Sequence, residues 1–562
     1  MIGGVTPRLR AAGDTALLVE LGDAVSEATS RAVAALDAAI AAAPPAGVVE
    51  VIPALRSLLV EYDPLRTSHA RLCGDVTALL SPSHDVVPTP AAAREHAVDV
   101  VYDGADLDAV ARACGLSTAE VVRIHTAPAY RVAMIGNLPG LPYLLGLDPR
   151  LRVPRRADPR DSVPAGSVAV AGELSCIYPA AGPGGWNLLG RTDAILFDAH
   201  RDPPALLAPG DTVRFVARDS LHTYRMLMSA GPQRMPALFV ENGGLLTTVQ
   251  DGGRHGWQRI GVPVCGALDR ELLHVANLLV GNRPDEAALE ITHAGPALQV
   301  LAPSVRFAIA GDVDAQRIAA DGTRSAVEPW RSVVLRDRER LRVGRVRSGL
   351  RAMLAVEGGF DLAPVLGSRS TCLRSHFGGA GGRALQRGWL PLQREYAGHH
   401  PDMCLDRDTL HDAQLTVPAG NAPFRTVVGP QDEAVTRESL DAMLHTALHV
   451  SHRSDRSGLR LDGVTLRHRG APEIVSDGCA AGSVQAPGSG QPIVLLADRG
   501  TTGGYPKVAT VASVDLPRLA RLRPGDRLRL EAVDVGTAEA LRRRREATLR
   551  DLAEALRPAA PS

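Results

Sequence analysis

The chain has 562 residues, which is too long for one hydrophobic core and indicates about two to four domains. It is 45% hydrophobic and 22% charged with a formal net charge of zero, which excludes the strongly basic balance typical of nucleic-acid binding. No apolar run is long enough to span a bilayer, and the first residues, MIGGVTPRLR, lack the apolar core of a signal peptide. We therefore expect a cytoplasmic protein without a membrane segment.

The cysteine, glycine and proline content bears on the fold class. The seven cysteines lie far apart without a CxxC pair, which favours reduced thiols over a disulfide framework or a zinc site, and we expect no metal. Only 3% of the residues are aromatic, whereas there are 55 glycines and 41 prolines. This composition favours many short strands joined by tight turns, so we predict a mainly β protein.

Residues 1–90 are predicted to form a small α/β module. Residues 14–21 and 57–62 have the apolar pattern of strands, and Ser26 is placed to begin an alanine-rich helix between them. Proline-rich residues 81–90 are the predicted linker that ends this module.

Residues 91–228 are predicted to form a β-barrel domain. A strand at residues 97–102 precedes two helices, and the second of these opens with a capping box from Ser117 to Glu120. Short strands with Gly/Pro turns follow, as is typical of a barrel. Residues 229–236 are the second predicted linker.

The rest of the chain is strand-rich, and we divide it into two barrel halves at residues 237–424 and 425–535. One helix is predicted at residues 269–280. The last predicted segment, residues 536–562, is a helix and tail. Its arginine run, residues 542–545, is balanced by neighbouring glutamates, which indicates a solvated helix face and no contact with nucleic acid.

An internal repeat links residues 164–217 to residues 480–532. Three motifs recur in the same order: Gly166-Ser167-Val168 with Gly482-Ser483-Val484, Gly185-Trp186 with Gly504-Tyr505, and Pro209-Gly210-Asp211 with Pro524-Gly525-Asp526. The repeat predicts two barrels of one plan, each with a Gly-Gly-aromatic corner at its mouth, although coincidence in a Gly/Pro-rich chain is the alternative. We expect the corner glycines to supply positive φ and not to bind phosphate: Gly184, Gly185, Gly503 and Gly504.

Lys507 is the only lysine among 62 lysine and arginine residues. Its context, Tyr505-Pro506-Lys507-Val508, matches neither a P-loop nor a biotin carrier, so we expect no covalently bound biotin. Lysine is a compact charge whose pKa can fall on desolvation, whereas arginine is a fixed planar cation. A single lysine therefore indicates either a chemical requirement or the chance outcome of a GC-rich codon bias.

The motifs resemble two known families joined in one chain. The first 228 residues resemble allophanate hydrolase subunit 1, which is also the B subunit of bacterial 5-oxoprolinase and the kinase-inhibitor-like family, at residues 139–143, 163–168 and 183–186. Residues 237–530 resemble allophanate hydrolase subunit 2, which is the C subunit of 5-oxoprolinase in the biotin-dependent carboxyltransferase-like family. The matching segments there include residues 247–251, 266–269, 429–431, 482–485 and 490–507.

This resemblance implies several cyclophilin-like β-barrel domains behind a small α/β module. It also implies ATP as a co-substrate and a separate A subunit, with which the fused B and C component hydrolyses 5-oxoproline to glutamate. Asn137 and residues 173–176 depart from the usual family pattern at the expected pocket of the first barrel. The ligand of that pocket stays open.

The expected substrates, which include urea and 5-oxoproline, share an N–C=O unit whose oxygen must gain negative charge or be phosphorylated. We predict that the catalytic groups are Lys507, Asp498, Gln485, Tyr505, Arg456 and Asp455. The predicted substrate contacts are Arg453, Thr501, Thr502, His125, Tyr143 and Arg191. Two structural alternatives are a simple Asp455–Arg456 ion pair at a turn and a His125 that only serves as a cation at a helix end.

Three functions remain open from the sequence. The first is a fused B/C component of ATP-dependent 5-oxoprolinase that is inactive without its A subunit. The second is a carboxyltransferase-like component acting on urea or another amide, against which the missing carrier and ATP-grasp modules count. The third is a non-catalytic inhibitor of a sensor kinase, which the complete second half disfavours. Homo-oligomer formation is left open.

Overall fold

The structure is a computed structural model that describes residues 7–80, 93–156, 158–221, 237–394, 396–399, 401–416, 420 and 422–559. Strands predominate over helices and several sheets curl into barrels, which confirms the predicted mainly β fold. The linkers predicted at residues 81–90 and 229–236 lie outside the described residues. The domain boundaries stay predictions.

The N-terminal module is a four-stranded antiparallel sheet covered on one face by two helices. Its strands run across the sheet in the order Arg8–Ala11, Ala16–Glu20, Ser57–Tyr62 and Val48–Pro53, and its helices are Glu27–Ala42 and His69–Leu79. Ser26 caps the first helix by accepting a hydrogen bond from the Thr29 amide, as predicted. The central strands are buried on both faces because the sheet's other side packs on the second barrel through Leu18, Leu59 and Ala480.

The first barrel is a seven-stranded sheet whose ends meet. Its order is Asn187–Arg191, Ser167–Ala171, Leu174–Ile177, Pro142–Leu145, Tyr130–Ile135, Thr212–Ala217 and Glu95–Val100. Val101 forms a bridge to Arg191, which brings the first and last strands together. The helices Leu107–Cys114 and Thr118–Thr126 pack on this ring, and Ser117 with Glu120 forms the predicted capping box. A short hairpin-like pair, Arg160–Val163 with Gly182–Gly184, lies beside it.

The second barrel follows the same circular order. Given in the same order around the barrel as those of the first, its strands are Lys507–Val511, Ser483–Gln485, Ile493–Leu495, Gly458–Asp462, Leu448–Val450, Arg527–Leu528 with Leu530–Ala532, and Phe424–Val428. The Gly210 amide donates to Val132 O and the Gly525 amide to Val450 O, both at 2.8 Å. The repeat seen in the sequence is therefore a duplicated barrel.

In the chain, the segment between the two barrels forms two sheets that share one core. The six-stranded sheet comprises Arg324–Ala326, Val313–Ile318, Arg340–Val346, Ala297–Val300, Leu238–Asn242 and Gly388–Leu390. The five-stranded sheet comprises Leu246–Gln250, Ala288–Thr292, Arg351–Val356, Ser304–Ala310 and Ser332–Arg336. The other helices are Arg270–Leu279, Arg407–Asp412, Arg437–His445, Leu516–Leu519 and Val535–Glu554, with 3₁₀ turns at Pro149–Leu151, Asp432–Ala434 and Ser513–Asp515. Two further two-stranded pairs are Met403–Cys404 with Arg557–Pro558, and Asp477–Gly478 with Thr502–Gly503.

The two halves of the chain are joined by buried polar contacts. Glu61 accepts hydrogen bonds from Gln258 Nε2 at 2.7 Å and from Arg499 Nη2 at 3.0 Å. The Tyr62 hydroxyl donates to Glu539 of the C-terminal helix at 3.0 Å. Because these groups are shielded from water, breaking the contacts would leave polar atoms without hydrogen-bond partners. The contacts therefore fix the N-terminal module on the second half. None of the helices in the described ranges is long and apolar enough to cross a membrane.

Candidate functional site at the junction of the two barrels

The mouth of the first barrel lies directly against the second barrel. The loop at residues 136–141 contacts residues 500–502, and the Gly140 amide donates to Ile260 O at 2.8 Å. A Cβ atom on Gly136 would lie 2.3 Å from the Thr502 hydroxyl, and one on Gly500 would lie 2.6 Å from Asn137 Oδ1. The two barrels can therefore approach this closely only because these positions lack side chains.

The two Gly-Gly-aromatic corners face each other across this junction, and Arg155 lies between them. Its guanidinium carbon is 5.8 Å from the centroid of the Trp186 ring, and its Nη1 is 2.9 Å from the position of a Cβ on Gly504. A carboxylate oxygen of Glu473 lies 3.9 Å from Arg155 Nε. The Arg155 guanidinium thus contacts the corners of both barrels.

The prediction of positive φ at the corner glycines is wrong. Gly184, Gly185, Gly503 and Gly504 all have other backbone conformations. Three of them instead allow a close approach, since a Cβ would meet the Tyr178 hydroxyl at 2.2 Å, Gln485 Nε2 at 2.8 Å or Arg155. These three glycines are required by close packing and not by a turn, and the approach of Arg155 to Gly504 is the one of the three that joins the two barrels.

Tyr143 places a phenol at the contact between the barrels. The side chain is buried near Thr502 and Ser476, and its ring packs edge-on against Trp186 with 5.8 Å between centroids. Burial raises the pKa of Tyr143, and the nearby Arg155 cation only partly offsets this. Tyr143 therefore remains a neutral hydroxyl that can donate a hydrogen bond at pH 7.

Lys507 lies next to this contact as part of a buried three-residue network. Its ammonium pairs with Asp477, and Gln431 Nε2 donates to the other oxygen of that carboxylate at 2.7 Å. Gln431 also accepts from the Lys507 amide and donates to the Lys507 carbonyl, each at 2.9 Å. Burial raises the pKa of Asp477, and the Lys507 ammonium opposes that rise. The network holds one ammonium at a fixed place below the surface.

Asp477 was missed from the sequence because thirty residues, which include the strands Ser483–Gln485 and Ile493–Leu495, separate it from Lys507. Gln431 belongs to the family-like segment at residues 429–431, so the resemblance offered a signal for it. The residue before Asp477 is Ser476, which lies near the Tyr143 side chain, so the network and the phenol are close together in the folded chain. Only the folded barrel brings the lysine to them.

Asp498 and Arg456 belong to a different buried network. Arg456 Nε and Nη2 each bond to Asp498 at 3.0 Å, Nη2 donates to Gly266 O at 2.7 Å, and Nη1 pairs with Glu290. Burial alone would lower the pKa of Arg456, but the two carboxylates outweigh it and raise that pKa. This arrangement ties the second barrel to the central sheets, so we assign both residues a structural role.

Asp455 does not pair with Arg456, so the ion-pair alternative is wrong. Asp455 Oδ1 accepts from the amides of Ser457 at 2.7 Å and Gly458 at 3.1 Å and so shapes a turn at the surface. The exposed Arg453 donates to Gln491 at 3.0 Å. None of the contacts described for Asp455 or Arg453 involves Lys507.

His125 lies in the core of the first barrel. Its Nδ1 is 2.8 Å from the Tyr102 hydroxyl, its Nε2 is 3.1 Å from Ser175 Oγ, and its ring stacks on Phe215. Burial lowers the pKa of His125 to about 3, so the ring is neutral and is not a cation at the helix end. This buried position does not favour the predicted substrate contact. Arg191 is exposed and paired with Asp103 at 2.8 Å.

The remaining predicted residues lie at the junction or close to it. Thr502 lies near Tyr143, and Tyr505 is half-buried beside Glu473 and Arg155. Gln485 lies opposite Lys507 on the neighbouring strand. The Thr501 hydroxyl is buried and finds no partner among the described residues. A cavity of about 580 Å³ lies between the N-terminal module and the C-terminal helix, and Lys507 does not line it. No cluster of three metal-ligating side chains occurs in the described ranges.

In chain order, an α/β module, a barrel, a two-sheet body and a second barrel of the same plan form a carboxyltransferase-type domain. The model of the family "carboxyltransferase domain, subdomain C and D" matches residues 7–207, and that of "carboxyltransferase domain, subdomain A and B" matches residues 260–532. The chain belongs to this family, and it joins a part like the B subunit of 5-oxoprolinase to a part like the C subunit.

The relatives cover both halves. The chain is 36% identical over 304 residues to the C subunit of 5-oxoprolinase from Escherichia coli, which spans 54% of this chain and 93% of that protein. It is 37% identical over 226 residues to the B subunit of 5-oxoprolinase from Bacillus subtilis, spanning 38% of this chain and 94% of that protein. The crystal structure of TTHA0988 superposes with a TM-score of 0.79 at 36% identity, over 92% of this chain and 99% of that one.

A more distant structure is the urea carboxylase of Kluyveromyces lactis. It superposes with a TM-score of 0.50 at 25% identity and covers 57% of this chain. The matching region is only 29% of that larger protein.

Proposed function

We propose that the chain is the fused B and C component of an ATP-dependent 5-oxoprolinase, which hydrolyses 5-oxo-L-proline to L-glutamate together with a separate A subunit. The observation that supports this most strongly is the presence of both parts in one chain, each matching its relative over more than nine-tenths of that relative's length. The direct contact between the two barrels gives a physical reason for joining them. We propose a cytoplasmic location.

The reacting lactam is proposed to bind at the junction. The Tyr143 hydroxyl and the Lys507 ammonium are the groups that would stabilise negative charge on its carbonyl oxygen, since both are donors in a water-poor environment. Asp477 and Gln431 are positioning residues that hold the ammonium in place. Tyr505, Thr502 and Gln485 would contact the ring, and Thr501 would support them.

The corner formed by Gly503, Gly504 and Lys507 does not fit a nucleoside triphosphate. Its only ammonium is already paired with Asp477, and the Gly503-Gly504 pair leads into the strand Lys507–Val511 and not into a helix N-terminus. We therefore propose that ATP binds to the A subunit. Biotinylation of Lys507 is disfavoured by its burial in an ion pair.

The test is an ATP-dependent assay of glutamate release from 5-oxoproline with the purified chain, with a matching A subunit, and with both. We expect release only from the mixture with ATP. Release by the chain alone, or none from the mixture, would contradict the proposal. The likeness to urea carboxylase favours one competitor, so urea is tested in parallel, and urea-stimulated ATP hydrolysis without glutamate release would support that function instead.

A further inference from the structure

A loop from the central body, here called the arginine loop (residues 365–382), is held rigidly at its base. Asp251 accepts hydrogen bonds from Ser368 Oγ at 2.7 Å and from the Arg369 amide at 2.6 Å. The buried Arg254 donates to Ser370 O at 2.6 Å, and its guanidinium lies 4.9 Å from the centroid of the Phe377 ring. These buried contacts over-determine the loop's backbone, so its tip has a defined position.

The tip of the arginine loop reaches the first barrel. Phe377 packs against Phe197 with 5.8 Å between ring centroids. Arg374 Nη2 lies 3.7 Å from the position of a Cβ on Gly182, and Leu138 Cδ1 lies 3.8 Å from the same point. Leu138 belongs to the apolar cluster that contains Tyr143 and Trp186. The C-like part of the chain thus delivers an arginine to the mouth of the B-like barrel.

Arg374 carries a charge that no described residue neutralises by an ion pair. The carboxylates that act on it at longer range are Asp455 and Asp498, and both are already committed, Asp455 to two backbone amides and Asp498 to Arg456. Burial lowers the pKa of the Arg374 side chain, yet a guanidinium stays protonated at pH 7. The hydroxyl of the next residue, Ser375, is also buried without a described partner.

A half-buried cation without an anion is unfavourable, and the planar fork of arginine fits a carboxylate in two-point contact. We propose that Arg374 binds the carboxylate of the lactam substrate at the barrel junction, while the lactam carbonyl faces Tyr143. This assignment rests on the proposed function, because 5-oxoproline is the lactam that carries a carboxylate. A phosphate group offers the same oxyanion chemistry, so the experiment separates the two.

The experiment is calorimetric titration of the full chain, alone and with its A subunit, using 5-oxoproline, 2-pyrrolidinone (the same lactam without the carboxylate) and inorganic phosphate. We expect Arg374→Met to weaken 5-oxoproline binding by about tenfold to hundredfold, the worth of a charged hydrogen-bond pair, and to leave 2-pyrrolidinone binding unchanged. Arg374→Lys should retain part of the affinity and serves as the second variant if the methionine protein does not fold. Arg214→Met, which breaks an exposed pair with Glu95, is the control.

Equal binding of 5-oxoproline by wild type and Arg374→Met would overturn the assignment. So would a wild-type chain that binds neither lactam, or a variant that loses phosphate binding but keeps 5-oxoproline. Failure of the proposed function is distinguishable, because titration does not depend on turnover. If 5-oxoproline binds in an Arg374-dependent way but no glutamate is released, the proposed hydrolase function is contradicted and the proposed carboxylate site is supported.

Discussion

Lys507 in the second barrel occupies the strand position that Leu188 occupies in the first. In the strand register, Lys507 lies opposite Gln485 and Leu188 lies opposite Ala169. A one-residue register shift follows at the same place in each pair of strands. The duplicated fold therefore tolerates a leucine here. An ammonium at such a position must be desolvated, so codon bias alone does not account for it.

The buried pair gives a stability prediction. Asp477→Leu alone should leave the ammonium without a partner and lower the free energy of unfolding by about 3–5 kcal/mol, and Lys507→Leu alone should have a comparable effect. The double variant Lys507→Leu/Asp477→Leu should recover most of this loss, since an apolar pair fills the same space. Urea denaturation of the four proteins measures it. Additive losses in the double variant would show that the two side chains do not interact.

The close approach of the barrels gives a second prediction. Gly136→Ala should push the first-barrel loop away from Thr502 and lower both the melting temperature and the activity with the A subunit. Gly470→Ala is the matched control, because Gly470 has open space around its Cβ position and no positive φ. Thermal unfolding of both variants checks this. Equal behaviour of the two would mean that the junction is loose.

A pH effect follows from His125. The pKa of His125 is lowered to about 3 in the folded chain, against about 6.5 when unfolded, so only the unfolded state takes up the proton between these values. Stability should therefore fall as the pH drops from about 6.5 toward 3, by up to about 1.4 kcal/mol per pH unit from this residue. Unfolding free energies of wild type and His125→Gln, measured at pH 7 and pH 5, should converge at the lower pH. If the wild type and His125→Gln lose the same unfolding free energy between pH 7 and pH 5, the buried position of His125 would be contradicted.

Much of the fold followed from local signals in the sequence. The Ser26 and Ser117 caps have short-range chemistry, and the repeated Gly-Ser-Val motifs at residues 166 and 482 mark turns with positive φ in both barrels. These features depend on neighbouring residues, so a single sequence carries them.

The site was harder to predict because its contacts are long-range. The partner of Lys507 is Asp477, whereas Asp498, which lies closer in the chain, bonds to Arg456. Arg374 comes from a loop more than a hundred residues away from both corners. Periodicity reports which face of an element is buried, but not which distant side chain will share that burial.

The central claim is that the ammonium of Lys507 acts at the junction of the two barrels. The most direct measurement is steady-state glutamate release by the chain with its A subunit and ATP, comparing wild type with Lys507→Arg at equal amounts of folded protein. An arginine keeps the charge but is too long and too planar for the space beside Asp477, so we predict a loss of about a hundredfold or more. Wild-type activity in Lys507→Arg would contradict the account.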